Sequence, residues 1–571
     1  MDYSIKIGGE AGQGIQTIGD TLALVFSRSG YNVFTHQDYE SRIRGGHNFF
    51  QVRVSDNPVM SPREVIDILV AMDRESIEFH EAELSQNGLI IYDSDSLKQK
   101  YDKPHFLDVP FVSLAKEHGG SKIMANTAAI GAVLGILGME LDILLGIIKD
   151  TFKKKGEEII KANTSTAMAG HDHAVKNCQK CSFSSPPLSK AKMLMAGNDA
   201  IGLGAVASGC KFYSAYPMTP STGIMLYVAS KAKEYGIIVE QAEDEIAAIN
   251  MALGASYAGV RAMTGSSGGG FALMVEGVSL AAITETPIVI GLAQRPGPAT
   301  GLPTKTEQAD LLFALYSGHG EFPRVILTPG TPEQTFYLTN KAFDLAEKYQ
   351  IPVFVLTDQY LADSQWTCDG LDMGKIIYTD YRIRGEAFST LPEYKRYSFT
   401  ESGVSPMAVP GEAKHLIVAD SDEHDEAGHL TEDAEIAIKM LDKRLTKKML
   451  YLRRDIDPPL FYGSDNPEIV LVGWGSTYGV IKETVDALLG DRKIAMLHFG
   501  EVYPLPSTRN FDYLGLLRKA KTTVCVEGNA TGQFAKIMRS ETGFTFNRLV
   551  NRYDGRPFTL EGLKGEINGI I

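Results

Sequence analysis

Cysteine is scarce in this chain: five residues in 571, at Cys178, Cys181, Cys210, Cys368 and Cys525. Only one pair stands close together. The scarcity argues against a disulfide scaffold and points to a reducing, cytoplasmic setting. It also argues against an iron–sulfur cluster held by this chain alone, which usually needs four thiolates. Positive charge is in deficit, with 56 Lys and Arg against 70 Asp and Glu and a net charge of -14. Neither nucleic acid nor an anionic membrane is therefore expected as the main partner. Membrane-length apolar runs are missing, and the stretch Thr127–Ile148 is broken by Gly, Glu and Asp. The opening MDYSIKIGGEAGQG has no basic segment leading into an apolar one, so no signal peptide is expected. The N-terminal glycine loop lacks a third glycine: Gly12 and Gly14 are followed by Thr17 where G-x-G-x-x-G requires glycine, which weighs against a nicotinamide site.

What is present is ordinary globular composition, 44% hydrophobic and 22% charged, in a chain long enough for three or four domains. Residues 1–182 read as one α/β domain. A strand at Tyr3–Ile7 runs into GGEAGQG and then a helix over Ile15–Ser29, an order that suits an anion-facing loop. Arg42, Arg44 and His47 surround Gly45-Gly46 as an anion-binding turn or, the preferred reading, a solvated hairpin. Strands are expected at Ile66–Ala71 and Gly88–Tyr92, and a helix at Leu141–Phe152. Residues 163–190, small, polar and carrying Pro186-Pro187, read as a connector, with the linker proper at 183–190. His171, His173, Cys178 and Cys181 raise the question of zinc, but their spacing is not that of a finger, and a thiol-bearing connector is the expectation.

Strand–helix alternation returns over 191–380, with Asn198 or Asp199 as a helix cap. The runs ETPIVIGLA and IPVFVLT fit parallel strands covered on both faces. Residues 381–465 read as an irregular surface excursion with a charged helix near Asp433–Lys448, and 466–571 as a last α/β unit. The stretch VEQAEDEIAAINMALGASYAGVRAMTGSSGGG, residues 239–270, crowds Glu240, Glu243, Asp244 and Glu245 at a helix start, where negative charge is favoured. Small side chains follow, which permit close packing. Three further segments keep it company: YPMTPST (216–222), TGSSGGG (264–270) and QRPGPATGLPTKTEQADL (294–311). All follow strands, and in a parallel sheet such loops meet at the ligand-binding edge. They offer glycine-rich backbone, hydroxyls, a cation and a carboxylate.

Together with GGEAGQGIQTIGDTLA and YESRIRGGHNF, these segments resemble the alpha subunit of the 2-oxoacid:ferredoxin oxidoreductases, particularly the 2-oxoglutarate type with a gamma domain fused at the N-terminus. The resemblance spans nearly the whole chain and departs at Glu10-Ala11, where the family often has glycine. It implies a multi-domain α/β protein: a gamma domain over 1–182, a pyrimidine-type thiamine diphosphate domain over 191–380, and a transketolase C-terminal-like domain over 466–571. It implies that Glu245 shares a proton with the aminopyrimidine of thiamine diphosphate, as acid–base catalysis there requires. By the same resemblance Thr219 and Arg295 bind the 2-oxoacid, the arginine through a two-pronged contact with its carboxylate. Tyr216, Pro217 and Met218 would line the cofactor, with Ser266, Ser267 and Gly268 turning the backbone beside it.

The family's diphosphate–Mg²⁺ motif, GDG followed by an asparagine, is missing, and neither GDRK nor YDGRP replaces it. The resemblance places that motif, with Mg²⁺ and a [4Fe–4S] cluster, on a beta subunit. This chain would then be half of a site in a cytoplasmic (alpha-beta)2 heterotetramer that decarboxylates a 2-oxoacid, passes electrons to ferredoxin and the acyl group to coenzyme A. The substrate expected is 2-oxoglutarate, with branched-chain 2-oxoacids, pyruvate and indolepyruvate as alternatives. A non-catalytic scaffold and a nicotinamide dehydrogenase are the readings from other classes. Glu245, Thr219 and Arg295 occurring together oppose the first, and the incomplete glycine fingerprint opposes the second.

Overall fold

Strands that read as unbroken apolar runs are those that need cover on both faces. In the structure, a computed structural model, they form the centre of one large sheet. Residues 1–41, 45–178, 181, 183–186, 188 and 190–570 are described. Arg42 and Arg44 of the glycine-flanked turn, and Pro187 of the connector, lie outside these. The chain forms two compact units: residues 1–195 with 364–371 and 558–571, and residues 196–363 with 372–557.

The first unit is built on an eight-stranded sheet in the order Phe106–Asp108, Leu84–Tyr92, Ile66–Ala71, Asp2–Ala11, Gly45–Ser55, Asn32–Asp38, Gln365–Cys368 and Met193–Ala196. Asp2–Ala11 pairs parallel to Ile66–Ala71 and antiparallel to Gly45–Ser55, so this is a mixed sheet. Ile5, Ile7, Val52, Val54, Ile68 and Val70 pack beneath Leu22 and Phe26 of the helix Ile15–Arg28. That helix starts at Gly14 in the left-handed region, φ 78°, with no side-chain cap. His47 Nε2 lies 2.8 Å from His80 Nε2 at the base of the strand pair.

The connector expected from residue 163 is helical as far as Asn177, within a 21-residue helix Glu157–Asn177. Its small residues form a packing seam. A Cβ on Gly170 would stand 2.1 Å from the Ala128 carbonyl oxygen, and one on Gly131 2.1 Å from that of Ala167. Two backbones this close exclude side chains, so neither helix shows the apolar stripe of a surface helix. His173 Nε2 donates to the Asp108 carbonyl, 3.0 Å. Cys178 and Cys181, expected as free thiols, are joined as a disulfide at the helix end, with Cα atoms 5.6 Å apart, within bridging range. Among the described residues no group of three His, Cys, Asp or Glu could hold a metal, and no helix is long and apolar enough to cross a membrane.

The second unit holds a seven-stranded sheet ordered Glu501–Tyr503, Val325–Leu327, Pro352–Asp358, Ile288–Gln294, Arg261–Ser266, Cys210–Ala215 and Ile238–Gln241, parallel except at Glu501–Tyr503. A five-stranded sheet follows, ordered Leu460–Gly463, Ile494–Phe499, Ile469–Trp474, Thr522–Glu527 and Arg548–Asn551, parallel apart from Leu460–Gly463. The helix Gly197–Ala207, which precedes strand Cys210–Ala215, begins without a side-chain cap. Neither Asn198 nor Asp199 caps it, because Asn198 Nδ2 turns away to donate to the Pro220 carbonyl, 2.9 Å.

The excursion over 381–465 is more than surface. It delivers Lys443 and Lys448 to Glu285, with all three side chains at most 1% exposed. A π-helical turn, Asp442–Lys447, makes this possible. Its i→i+5 repeat brings residues five apart onto one face, where an α-helix would splay them. Lys443 Nζ binds Glu285 Oε1 at 2.6 Å, Lys448 Nζ binds Oε2, and Arg396 donates to the Glu285 carbonyl oxygen. Burial alone would raise the Glu285 carboxyl, but Lys443, Lys448 and Arg396 outweigh it and hold it well below the usual carboxylate range. Burial takes Lys443 down to about 8 against the pull of Glu285. Glu285→Gln leaves two buried ammonium groups facing an amide. We expect a loss of about 3–5 kcal/mol, read as a lower thermal transition; an unchanged transition would show that the cluster holds nothing together.

Candidate functional site

Four segments converge at the carboxyl ends of the second unit's parallel strands. Strand Cys210–Ala215 leads into Tyr216–Thr219, strand Ile238–Gln241 into the helix Glu245–Tyr257, strand Arg261–Ser266 into the helix Gly268–Ile283, and strand Ile288–Gln294 into Arg295. Register fixes their heights: Met263 pairs with Val289 and Tyr213, and Ser266 with Leu292.

The four acids before the helix Glu245–Tyr257 separate by burial. Glu240, Glu243 and Asp244 are exposed. Asp244 caps the helix, its Oδ1 accepting from Ala247 N–H at 2.7 Å. That bond fixes the entry angle and turns the next residue inward, leaving Glu245 3% exposed. Ser214 Oγ donates to the Ala248 carbonyl at 2.6 Å and ties this turn to the sheet. Glu245 Oε1 is buried without a hydrogen-bond partner.

The glycines explain how a carboxyl reaches this place. A Cβ on Gly270 would stand 2.3 Å from Glu245 Oε1 and 2.2 Å from Ser266 Oγ. One on Gly268 would stand 2.5 Å from Asp310 Oδ2. Between them Gly269 meets nothing nearer than 3.6 Å, the Ala299 carbonyl oxygen. The first and third glycines of the tract thus give up their side-chain space to two acids. Ser267, at the N-cap, makes no side-chain cap, and its hydroxyl is buried and unpartnered. The N-terminus of the helix Gly268–Ile283 lies beside both carboxyls.

The chain of contacts continues outward. Ser266 Oγ lies 3.9 Å from Met218 Sδ. Next along, Arg295 Nη1 donates to the Thr219 carbonyl at 2.7 Å. Burial draws the Arg295 guanidinium below its usual value, against the pull of Asp310. The structure thus brings Glu245, Ser266, Gly268, Met218, Thr219 and Arg295 together. Pro217 is half-buried between neighbours, and Tyr216 is 41% exposed, in none of these contacts.

Sequence reasoning passed over Asp310, the other carboxyl of the glycine turn. Nothing in its spacing marks it, because its place is set by a loop laced to distant residues. Gln308 N–H donates to the Gly528 carbonyl at 2.6 Å, Gln308 Nε2 to the Trp474 carbonyl at 3.0 Å, and Asn529 Nδ2 to the Gln308 carbonyl. Gln294 was missed too; its Oε1 accepts from the Asp310 N–H at 2.9 Å. Both lie inside the segment 294–311 that the sequence marks as a whole.

Two family models match the chain: "Pyruvate flavodoxin/ferredoxin oxidoreductase, thiamine diP-bdg" over residues 203–443 and "Pyruvate ferredoxin/flavodoxin oxidoreductase" over residues 4–173. The chain is 31% identical to the 2-oxoacid:ferredoxin oxidoreductase subunit alpha of Saccharolobus solfataricus, over 100% of this chain and 98% of that one. It is 28% identical to the 2-oxoglutarate oxidoreductase subunit KorA of Mycobacterium tuberculosis, over 94% of this chain and 87% of that one. A solved structure of the 2-oxoglutarate:ferredoxin oxidoreductase from Magnetococcus marinus, with 2-oxoglutarate, coenzyme A and succinyl-CoA bound, matches with a TM-score of 0.91 at 32% identity. It covers 100% of this chain and 99% of that one.

The two glycine positions make a direct comparison. Gly270→Ala forces its methyl against Glu245 and Ser266 and should cost about 1–3 kcal/mol, whereas Gly269→Ala should be near neutral. Thermal unfolding of the two variants checks this, and equal stability would refute the seating of Glu245 described above.

Proposed function

Since the chain belongs to the 2-oxoacid:ferredoxin oxidoreductases, as an alpha subunit with the gamma domain at its N-terminus, we propose that it forms half of the active site of a 2-oxoglutarate-oxidising enzyme. The observation that carries this reading is the buried, unpartnered Oε1 of Glu245 at the glycine turn. A buried polar oxygen without a partner costs free energy unless something bound there completes it. The aminopyrimidine of thiamine diphosphate fits that need, since a ring nitrogen and a carboxyl share one proton well. When bound, that cofactor supplies the carbon nucleophile for decarboxylation.

The chain's own residues do the rest. Glu245 holds a proton at Oε1 and exchanges it with the ring nitrogen, and its burial keeps water from competing. Met218, Ser266 and Ser267 form the wall on which the cofactor would rest, with Tyr216 and Pro217 at the segment's start and Gly268 leaving room for the carboxyls. Arg295, anchored through one nitrogen to the Thr219 carbonyl, presents a guanidinium to the substrate carboxylate, and the Thr219 hydroxyl completes the contact.

Exposed apolar residues on the two site helices, Ile246, Met251 and Leu273, support a covering subunit. That subunit is the beta chain, which we assign Mg²⁺ with the diphosphate site and the [4Fe–4S] cluster. The cysteine supply agrees: two of five are bridged, and Cys210 and Cys525 are buried apart. Ferredoxin would take the electrons, coenzyme A the acyl group, and the assembly would be a cytoplasmic (alpha-beta)2 heterotetramer.

Arg295→Lys, in the assembled enzyme, keeps the charge but loses the fork geometry. We expect KM for 2-oxoglutarate to rise about tenfold or more in a viologen-reduction assay. An unchanged KM would remove Arg295 from the substrate contact, and a preference for pyruvate or a branched-chain 2-oxoacid in the same assay would overturn the substrate.

A further inference from the structure

Asp310 has no part in the reading above, yet its position is fixed from every side. Its carboxyl lies over Gly268, with Oδ2 and Oδ1 at 2.5 and 2.7 Å from where a Cβ would stand. Its backbone N–H is held by Gln294, the residue immediately before Arg295, so one side chain sets the spacing between acid and guanidinium. On the far side Gln533 Nε2 donates to the Ala309 carbonyl at 2.6 Å, and Leu312 N–H donates to Gln533 Oε1 at 2.9 Å. Oδ2 is buried and makes no hydrogen bond. A carboxyl on backbone held this firmly, with an unused buried oxygen, is placed to meet something that arrives.

The charged groups around it are few. Arg295 faces it with opposite sign, and Glu307 of its own loop with like sign. Glu245 stands across the glycine turn, over Gly270. Arg295 therefore has two claimants for its free edge: the substrate carboxylate, on the reading above, and Asp310.

We propose that Asp310 is a positioning residue for the 2-oxoacid: in its acid form it donates a hydrogen bond to the carboxylate held by Arg295, and in its ionised form it competes with that carboxylate for the guanidinium. This inference rests on the assignment of Arg295 to the substrate. No bond is made or broken in it; Asp310 takes its proton from solvent before the substrate binds and holds it while the substrate is bound.

Burial, with Glu307 adding and Arg295 opposing, takes the Asp310 carboxyl up to about 6. The sign follows: the binding form prevails below that pH and is lost above it. A carboxyl ionising there is roughly one-tenth protonated one pH unit higher, so KM for the 2-oxoacid should rise about tenfold between about pH 5 and pH 7.

The test measures KM and kcat across that range in the assembled enzyme, for the wild type, Asp310→Asn, Asp310→Glu and Arg295→Lys. Calorimetric affinity for a non-decarboxylating carboxylate analogue serves as a readout independent of turnover. Asp310→Asn should flatten the KM profile at its low-pH value while changing kcat little, and Asp310→Glu should keep a pH-dependent rise. A wild-type KM that does not change with pH overturns the proposal, as does an Asp310→Asn enzyme with the wild-type profile. Should Asp310→Asn fail to fold, the wild-type and Asp310→Glu profiles decide. An unaltered KM in Arg295→Lys would instead sink the substrate-site reading itself, a failure distinct from that of Asp310.

Discussion

Two missing side chains govern this site. Gly268 and Gly270 stand at the head of a half-buried helix, and the space their Cβ atoms would fill is taken by the carboxyls of Asp310 and Glu245. Those acids come from segments more than sixty residues apart in sequence, yet they face the same turn and each keeps an unpartnered oxygen. Any larger residue at either glycine would collide with one of these carboxyls.

The segments that position Glu245 and its glycine turn follow from the parallel sheet. Its strands end at nearly the same height, so the segments after them meet without long loops. The segment carrying Asp310 is the exception, and it is tied down at Gln308 and Gln533 by contacts with the ends of the five-stranded sheet. A second set of constraints, the Glu285 cluster, fastens the 381–465 excursion by burying two lysines on one carboxylate. Charge thus plays separate parts in one unit: neutralised where it fastens the excursion, and left with unpartnered oxygens at the glycine turn.

Much of this was legible in the sequence because it depends on local pattern. The β-branched run IPVFVLT is the fully buried strand Pro352–Asp358, and TGSSGGG does turn from strand into helix. The resemblance singled out Glu245 where residues alone offered four similar acids; burial now distinguishes it from the other three. What stayed hidden was tertiary. The small residues of Glu157–Asn177 looked like a connector because glycine-mediated contact erases the apolar stripe by which a helix is recognised. Lys443 and Lys448 looked like surface charge because the π-helical turn that brings them onto one carboxylate has no sequence signal. Asp310 carried no mark at all, since its meaning lies in its distance from Gly268 and Arg295.

The central claim is that Glu245 acts by sharing a proton and not merely by carrying charge at a helix start. Glutamine has nearly the same shape, so Glu245→Gln preserves the packing over Gly270 while removing the shared proton. Exchange of the C2 proton of bound thiamine diphosphate with deuterium, followed by NMR in the assembled enzyme, measures this directly. The Glu245→Gln enzyme should keep its subunits and exchange about 10²–10⁴-fold more slowly. Exchange at the wild-type rate would contradict this and leave Glu245 as a buried helix-start charge.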